Sequence, residues 1–193
     1  NEFIIPGQPT SSSYRFVDAK SESRAAYAQV TWTPPVLEDR LDVTLGARYT
    51  EDERKATRDY SISGFVIDDG TTNDKDFSRS TPSLTVAYSF SDDLSAYAKV
   101  ASGYRAGGSS ESAADFSRTF GPETLETYEI GVKAEWLDKR LRTNLALFSS
   151  DYQDIQLDVT PDPDNITITQ TINAGDAVIN GLELDVTAAI SAD

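Results

Sequence analysis

The chain has 193 residues and a net charge of −15, with 32 acidic against 17 basic side chains and neither Cys, His nor Met. The acidic balance argues against nucleic acid, which needs a basic face to displace counterions. Missing Cys and His exclude disulfides, thiolate metal sites, cysteine nucleophiles and Ser-His-Asp triads.

The length fits one domain or one large piece of one. The lack of Met points to a mature or internal piece, and no apolar run is long enough for a transmembrane helix. Period-two alternation dominates instead. A first strand is read over 14–33, where Ala26, Ala28, Val30 and Trp32 share a side. The second (41–60) alternates strictly at its start: Leu41, Val43, Leu45, Ala47 and Tyr49 oppose Asp42, Thr44, Gly46 and Arg48. Residues 51–76, with eight Asp or Glu against four Lys or Arg, are expected to be a long acidic loop.

Strands follow over 77–90 and 94–106, joined by the short turn Ser91–Asp93. In the latter, Leu94, Ala96, Ala98, Val100 and Tyr104 oppose Tyr97, Lys99, Gly103 and Arg105. Gly103 to Gly108 fits the first half of a phosphate loop. The Lys and helix that such a loop needs do not follow, so it reads as a strand leaving its sheet. After a polar loop (106–122), strands are read over 123–137, 141–158 and 168–190. A further loop at 159–170 contains Asp158, Asp162 and Asp164, whose oxygens make a weak calcium candidate without EF-hand spacing. The sequon Asn165-Ile166-Thr167 lies in the same stretch.

About seven antiparallel strands with alternately short turns and long loops make an all-β up-and-down meander. Its apolar face could be the core of a soluble all-β binding or adhesion module, or the lipid face of a membrane barrel. The aromatics favour the barrel. Trp32, Phe90 and Trp136 precede the short turns, while Tyr49, Tyr104 and Tyr128 lie toward the long loops, as two girdles would. Carboxylate pairs such as Glu129 with Glu135, or Glu183 with Asp185, could suggest a glycosidase, but no aromatic sugar platform accompanies them.

Four blocks, LDVTLGARYTED, STPSLTVAYSFSDDLSAYAKVASGYRAGG, FGPETLETYEIGVKAEWLDKRLRTNLALFSSDYQDIQL and NAGDAVINGLELDV, resemble consecutive barrel strands of TonB-dependent outer-membrane receptors. The resemblance implies a segment of a large transmembrane barrel in the bacterial outer membrane, internal to a longer chain whose plug is not part of this sequence. It further implies no enzymatic activity and no cofactor. The partners are membrane lipid, TonB acting through the plug, and a scarce nutrient of the siderophore-iron, haem, cobalamin or oligosaccharide class. Arg105, Glu129, Arg48 and Lys99, on the polar face, are the substrate-binding candidates. Arg105 is expected to meet either substrate or a lumen carboxylate such as Glu129.

Overall fold

The computed structural model describes residues 12–161 and 168–190. The strands in chain order are β1 (Ser13–Trp32), β2 (Leu41–Ile62), β3 (Phe65–Ser91), β4 (Leu94–Arg105), β5 (Gly108–Ser109), β6 (Thr119–Phe120), β7 (Glu123–Trp136), β8 (Leu141–Gln153), β9 (Gln156–Val159), β10 (Gln170–Asn173) and β11 (Ala177–Ala188). The seven long ones form a single antiparallel sheet in the order β1-β2-β3-β4-β7-β8-β11. The short ones pair as β5–β6 and β9–β10.

The register turns the alternation into rows. Leu41, Tyr88, Ala96, Val132, Leu145 and Leu184 are successive cross-strand partners on one face. Thr44, Thr85, Lys99, Glu129 and Phe148 form a row on the other. A sandwich would cover the apolar row with a second sheet. Here it stands open: Val30, Leu45, Ile130 and Leu182 are 58–66% exposed. An apolar face this wide is what the lipid-facing side of a barrel wall presents, and no second sheet covers it among the described residues. Five of the six expected girdle aromatics are exposed on that face, but Tyr104 is not. The β3–β4 ladder ends at Ser83–Ala101, and beyond it Tyr104 directs its hydroxyl into a buried position beside Asp52.

The short turns on either side of the sheet repeat one device. Leu37, Glu38 and Asp39 all take left-handed φ, as do Leu137, Asp138 and Lys139. Such a conformation costs about 1–2 kcal/mol for each such residue. Each turn closes with an Arg N–H donating to the Leu carbonyl three residues back, Arg40 to Leu37 and Arg140 to Leu137, both at 3.2 Å. The guanidinium then reaches the neighbouring strand end: Arg40 donates to the Phe90 carbonyl (2.8 Å) and Arg140 to that of Ala189 (3.4 Å). The same strand ends return N–H bonds, Ser89 to the Arg40 carbonyl and Ala189 to that of Arg140.

At the opposite end the structure corrects the expected 51–76 loop. The segment continues β2 and β3 as a hairpin, turned by Ser63 and Gly64 with φ of 50° and 81° as a two-residue type I′ turn requires. Pro82 explains where this hairpin departs from the wall. It has no N–H to give a ladder, and β3–β4 pairing stops at the next residue. From there β3 pairs only with β2, while β1 follows β2 to the Ser13–Ile62 rung. The result is a three-stranded ribbon that rises roughly 40 Å beyond Tyr49 at ~3.3 Å per residue. Charged residues fall on both of its faces, and no apolar stripe alternates along it. Polar cross-strand contacts hold it instead, such as Thr57 with Thr72 (2.9 Å) and Lys55 with Asp74 (3.8 Å).

Candidate functional site

Most of the buried residues gather at the long-loop end. On the polar-face parity of β2, the ribbon presents Thr50, Asp52, Ala56, Arg58 and Tyr60, each no more than 9% exposed. The loop 106–122 lies against them and contributes Ser110, Ala113 and Phe116. Arg58 is the joint. Its guanidinium is wholly buried and pairs with Asp68 Oδ2 through Nη2 (2.6 Å) and Nε (2.8 Å). Nη1 donates to the carbonyls of Glu111 (3.1 Å) and Ala113 (2.6 Å), and Nη2 reaches that of Ala114 (3.4 Å). Its carbon stands 4.6 Å from the Phe116 ring centre and 5.3 Å from that of Tyr60, which Arg15 also approaches at 4.7 Å. Within the loop, Ser117 donates from both its N–H (3.0 Å) and its hydroxyl (2.6 Å) to Asp115, holding that carboxyl below its ordinary pKa.

On its other side the loop is tied to the β9–β10 hairpin. Ser110 Oγ donates to the Thr171 carbonyl (3.0 Å) and accepts the Thr171 N–H (3.1 Å). Gln156 Nε2 donates to the carbonyls of Ala106 and Gly121, both at 3.0 Å. Asn173 accepts the Gly121 N–H (2.7 Å) and donates to the carbonyls of Gly121 (3.1 Å) and Asp154 (2.8 Å). Nothing in the sequence pattern announces this arrangement. Its only early sign is an arginine amid polar residues, a position where a buried partner cannot be read.

The four candidates do not form one cluster. Arg105 ends β4 opposite Glu123, at the root of the loop; it is exposed and makes no ion pair among the described residues. The expected bridge from Arg105 to Glu129 is absent, because Glu129 sits six rungs lower, ~20 Å at strand rise. Glu129 is the direct partner of Lys99, yet it takes its hydrogen bond from the Tyr97 hydroxyl (2.5 Å). Lys133 stands over the Tyr97 ring at 5.3 Å. Arg48, on β2, donates its Nε to Thr50 Oγ1 (3.1 Å). Arg105 borders a groove of about 360 Å³ that Arg54, Lys55, Gly107 and Gln156 also line. Arg54 pairs with Asp52 (3.1 Å), Lys55 with Asp74 (3.8 Å) and Lys20, also on the groove, with Glu22, which leaves Arg105 without an ion pair among the groove's described cations.

Tyr97 can lie over the wall because its neighbour Gly131 has no side chain. A Cβ there would fall 2.5 and 2.6 Å from two ring carbons and 2.7 Å from the hydroxyl oxygen. Gly131→Val is expected to turn the ring away and break the Tyr97–Glu129 bond, destabilising the wall by about 1–3 kcal/mol. Chemical unfolding of the full receptor checks the cost. Tyr97→Ala in the same background should relieve most of it, and full additivity of the two changes would contradict this contact.

Each carboxylate pair has at least one member engaged elsewhere. Glu135 holds Arg142 at 2.8 Å, and Asp185 accepts from Asn144 at 3.3 Å. Of the calcium candidates, Asp158 accepts the Thr171 hydroxyl at 2.6 Å. Asp162, Asp164 and the sequon lie outside the described residues. The described residues contain no group of three metal-capable side chains.

A family model described as TonB dependent receptor-like, beta-barrel, matches residues 2–191. The pesticin receptor of Yersinia pestis is 30% identical over 186 residues, covering 95% of this chain and 26% of that protein. The ferric-pyoverdine M114 receptor PbuA of a Pseudomonas strain is 28% identical, covering 80% of this chain and 18% of that one. The crystal structure of the ferric yersiniabactin uptake receptor FyuA from Yersinia pestis superposes with a TM-score of 0.74 at 26% identity, covering 97% of this chain and 27% of that one. The chain thus spans about a quarter of the length of the first of these relatives.

Proposed function

The chain belongs to the TonB-dependent receptor-like β-barrel family, and on that premise we propose that it supplies part of the wall and mouth of a receptor importing a ferric siderophore. Members of the family are bacterial outer-membrane transport proteins, not enzymes. The observation carrying the substrate reading is Arg105: an exposed guanidinium without an ion pair among the described residues, at the long-loop end of a strongly acidic chain. An unpaired guanidinium offers an anionic ligand a local charge-assisted contact, made against the repelling long-range field of the acidic chain. Arg48 and Lys99, lower on the same face, extend the positive path inward, and Glu129 holds Tyr97 in place beside it. In this reading, uptake past a plug would draw its energy through TonB.

Ferric yersiniabactin and ferric pyoverdine are the first probes, because receptors related to this chain carry those names. Binding is measured by fluorescence quenching on the full-length receptor in detergent. We expect one of the two to bind, and Arg105→Ala to weaken it about tenfold, the loss of one charge-assisted hydrogen bond. Failure of both chelates to bind, or full affinity in Arg105→Ala, would overturn the assignment.

A further inference from the structure

We propose that Arg58 is the positioning residue that folds the roof of the mouth before any ligand arrives, so that capture needs no loop folding. Its bearing on capture rests on the receptor function proposed above.

Loop 106–122 has little to order it by itself. Its sequence is mostly Gly, Ser, Asp and Ala, and among its residues only Ala113 and Phe116 are buried apolar groups. Both pack at Arg58. A buried guanidinium is tolerated only when its donors are met. Asp68 satisfies one side from within the ribbon, and the carbonyls of Glu111, Ala113 and Ala114 satisfy the rest. Undocking the loop therefore removes three acceptors and the Phe116 ring at once, so half-docked states are excluded. Lysine cannot replace this fork, because one ammonium cannot span Asp68 and three carbonyls in a plane.

The effect spreads further. The docked loop presents Ser110 to Thr171, and Gly121 to Gln156 and Asn173. The β9–β10 hairpin thus leans on a loop that leans on Arg58. Between loop and ribbon lies the groove that Arg105 borders. Arg58 does not line that groove, yet through the Glu111 carbonyl it fixes the position of the groove's wall.

The test uses the full-length receptor, ligand-free, in detergent, with amide hydrogen exchange read by mass spectrometry. In Arg58→Met, exchange in 111–118 should rise at least a hundredfold and in 168–173 about tenfold, with β7, β8 and β11 unchanged. Arg58→Lys should resemble Arg58→Met. Ser110→Ala should loosen 168–173 while leaving 111–118 protected, and it does not disturb the buried guanidinium. Unchanged exchange of 111–118 in Arg58→Met, or wild-type behaviour of Arg58→Lys, overturns the proposal. With ferric yersiniabactin or ferric pyoverdine, whichever binds, Arg58→Met should slow association about tenfold; an unaltered association rate with a loosened loop overturns the role in capture. If wild type binds neither chelate, the substrate reading fails, while the exchange result still decides whether Arg58 holds the roof.

Discussion

Leu145→Arg is expected to destabilise the folded receptor by about 2–4 kcal/mol, the penalty of a charge on the lipid face near mid-membrane. Asn144→Arg, one residue earlier, should stay within about 0.5 kcal/mol, the range of a surface substitution. Leu145 lies in the row from Leu41 to Leu184, midway between the Trp136 and Tyr128 ends of β7, and is 41% exposed. Asn144 points the other way, bonded to Asp185, where a guanidinium meets a carboxylate. Urea unfolding of the full receptor in liposomes of several thicknesses measures both. Equal costs for the two variants would mean that the apolar face is not the lipid face.

Gly107→Ala should detach the outer loop without harming the wall. The added Cβ would sit 2.2 Å from the Phe120 carbonyl oxygen and 2.9 Å from the Gly121 carbonyl carbon, with the Phe77 ring at 2.8 Å. A flexible side chain could step aside, but backbone cannot. Relief requires giving up the Gly108–Phe120 rung and the bonds that Gln156 and Asn173 make to Gly121. The overpacking penalty is about 1–3 kcal/mol, concentrated locally. We expect limited proteolysis to cut within 106–122 at least tenfold faster, with heat-modifiable gel mobility of the barrel unchanged. Gly103→Ala is the control: its Cβ would meet Leu125 at an ordinary 3.4 Å. Equal protease resistance in Gly107→Ala and wild type would show that the loop does not depend on this close approach.

The wall was legible because lipid imposes a rule on sequence. Wherever one face meets hydrocarbon, as from Leu41 to Tyr49 or from Leu94 to Val100, every second residue must be apolar, and the alternation can be read directly. Above the membrane the rule lapses. Residues 51–76 carry charges on both faces, so their strand character is hidden in composition that resembles a loop. Pro82 marks the boundary, but a lone proline does not say which ladder ends. Tyr104 keeps the parity of the girdle and departs from it only because the β3–β4 ladder has already stopped. The loop contacts were illegible for a different reason. Arg58 finds its carbonyls some 55 residues away, and backbone acceptors leave no trace in the identity of residues 111–114.

The two arginine-closed turns bear on how such a wall is assembled. Each one reads the end of the next strand in the wall, Phe90 of β3 for Arg40 and Ala189 just after β11 for Arg140. A neighbour that arrives one residue out of step would turn its lipid-facing side chains inward. It would also carry its terminal carbonyl ~3.3 Å out of the guanidinium's reach. The turn therefore acts as a gauge of register: its guanidinium is satisfied only when the neighbouring strand stands in step.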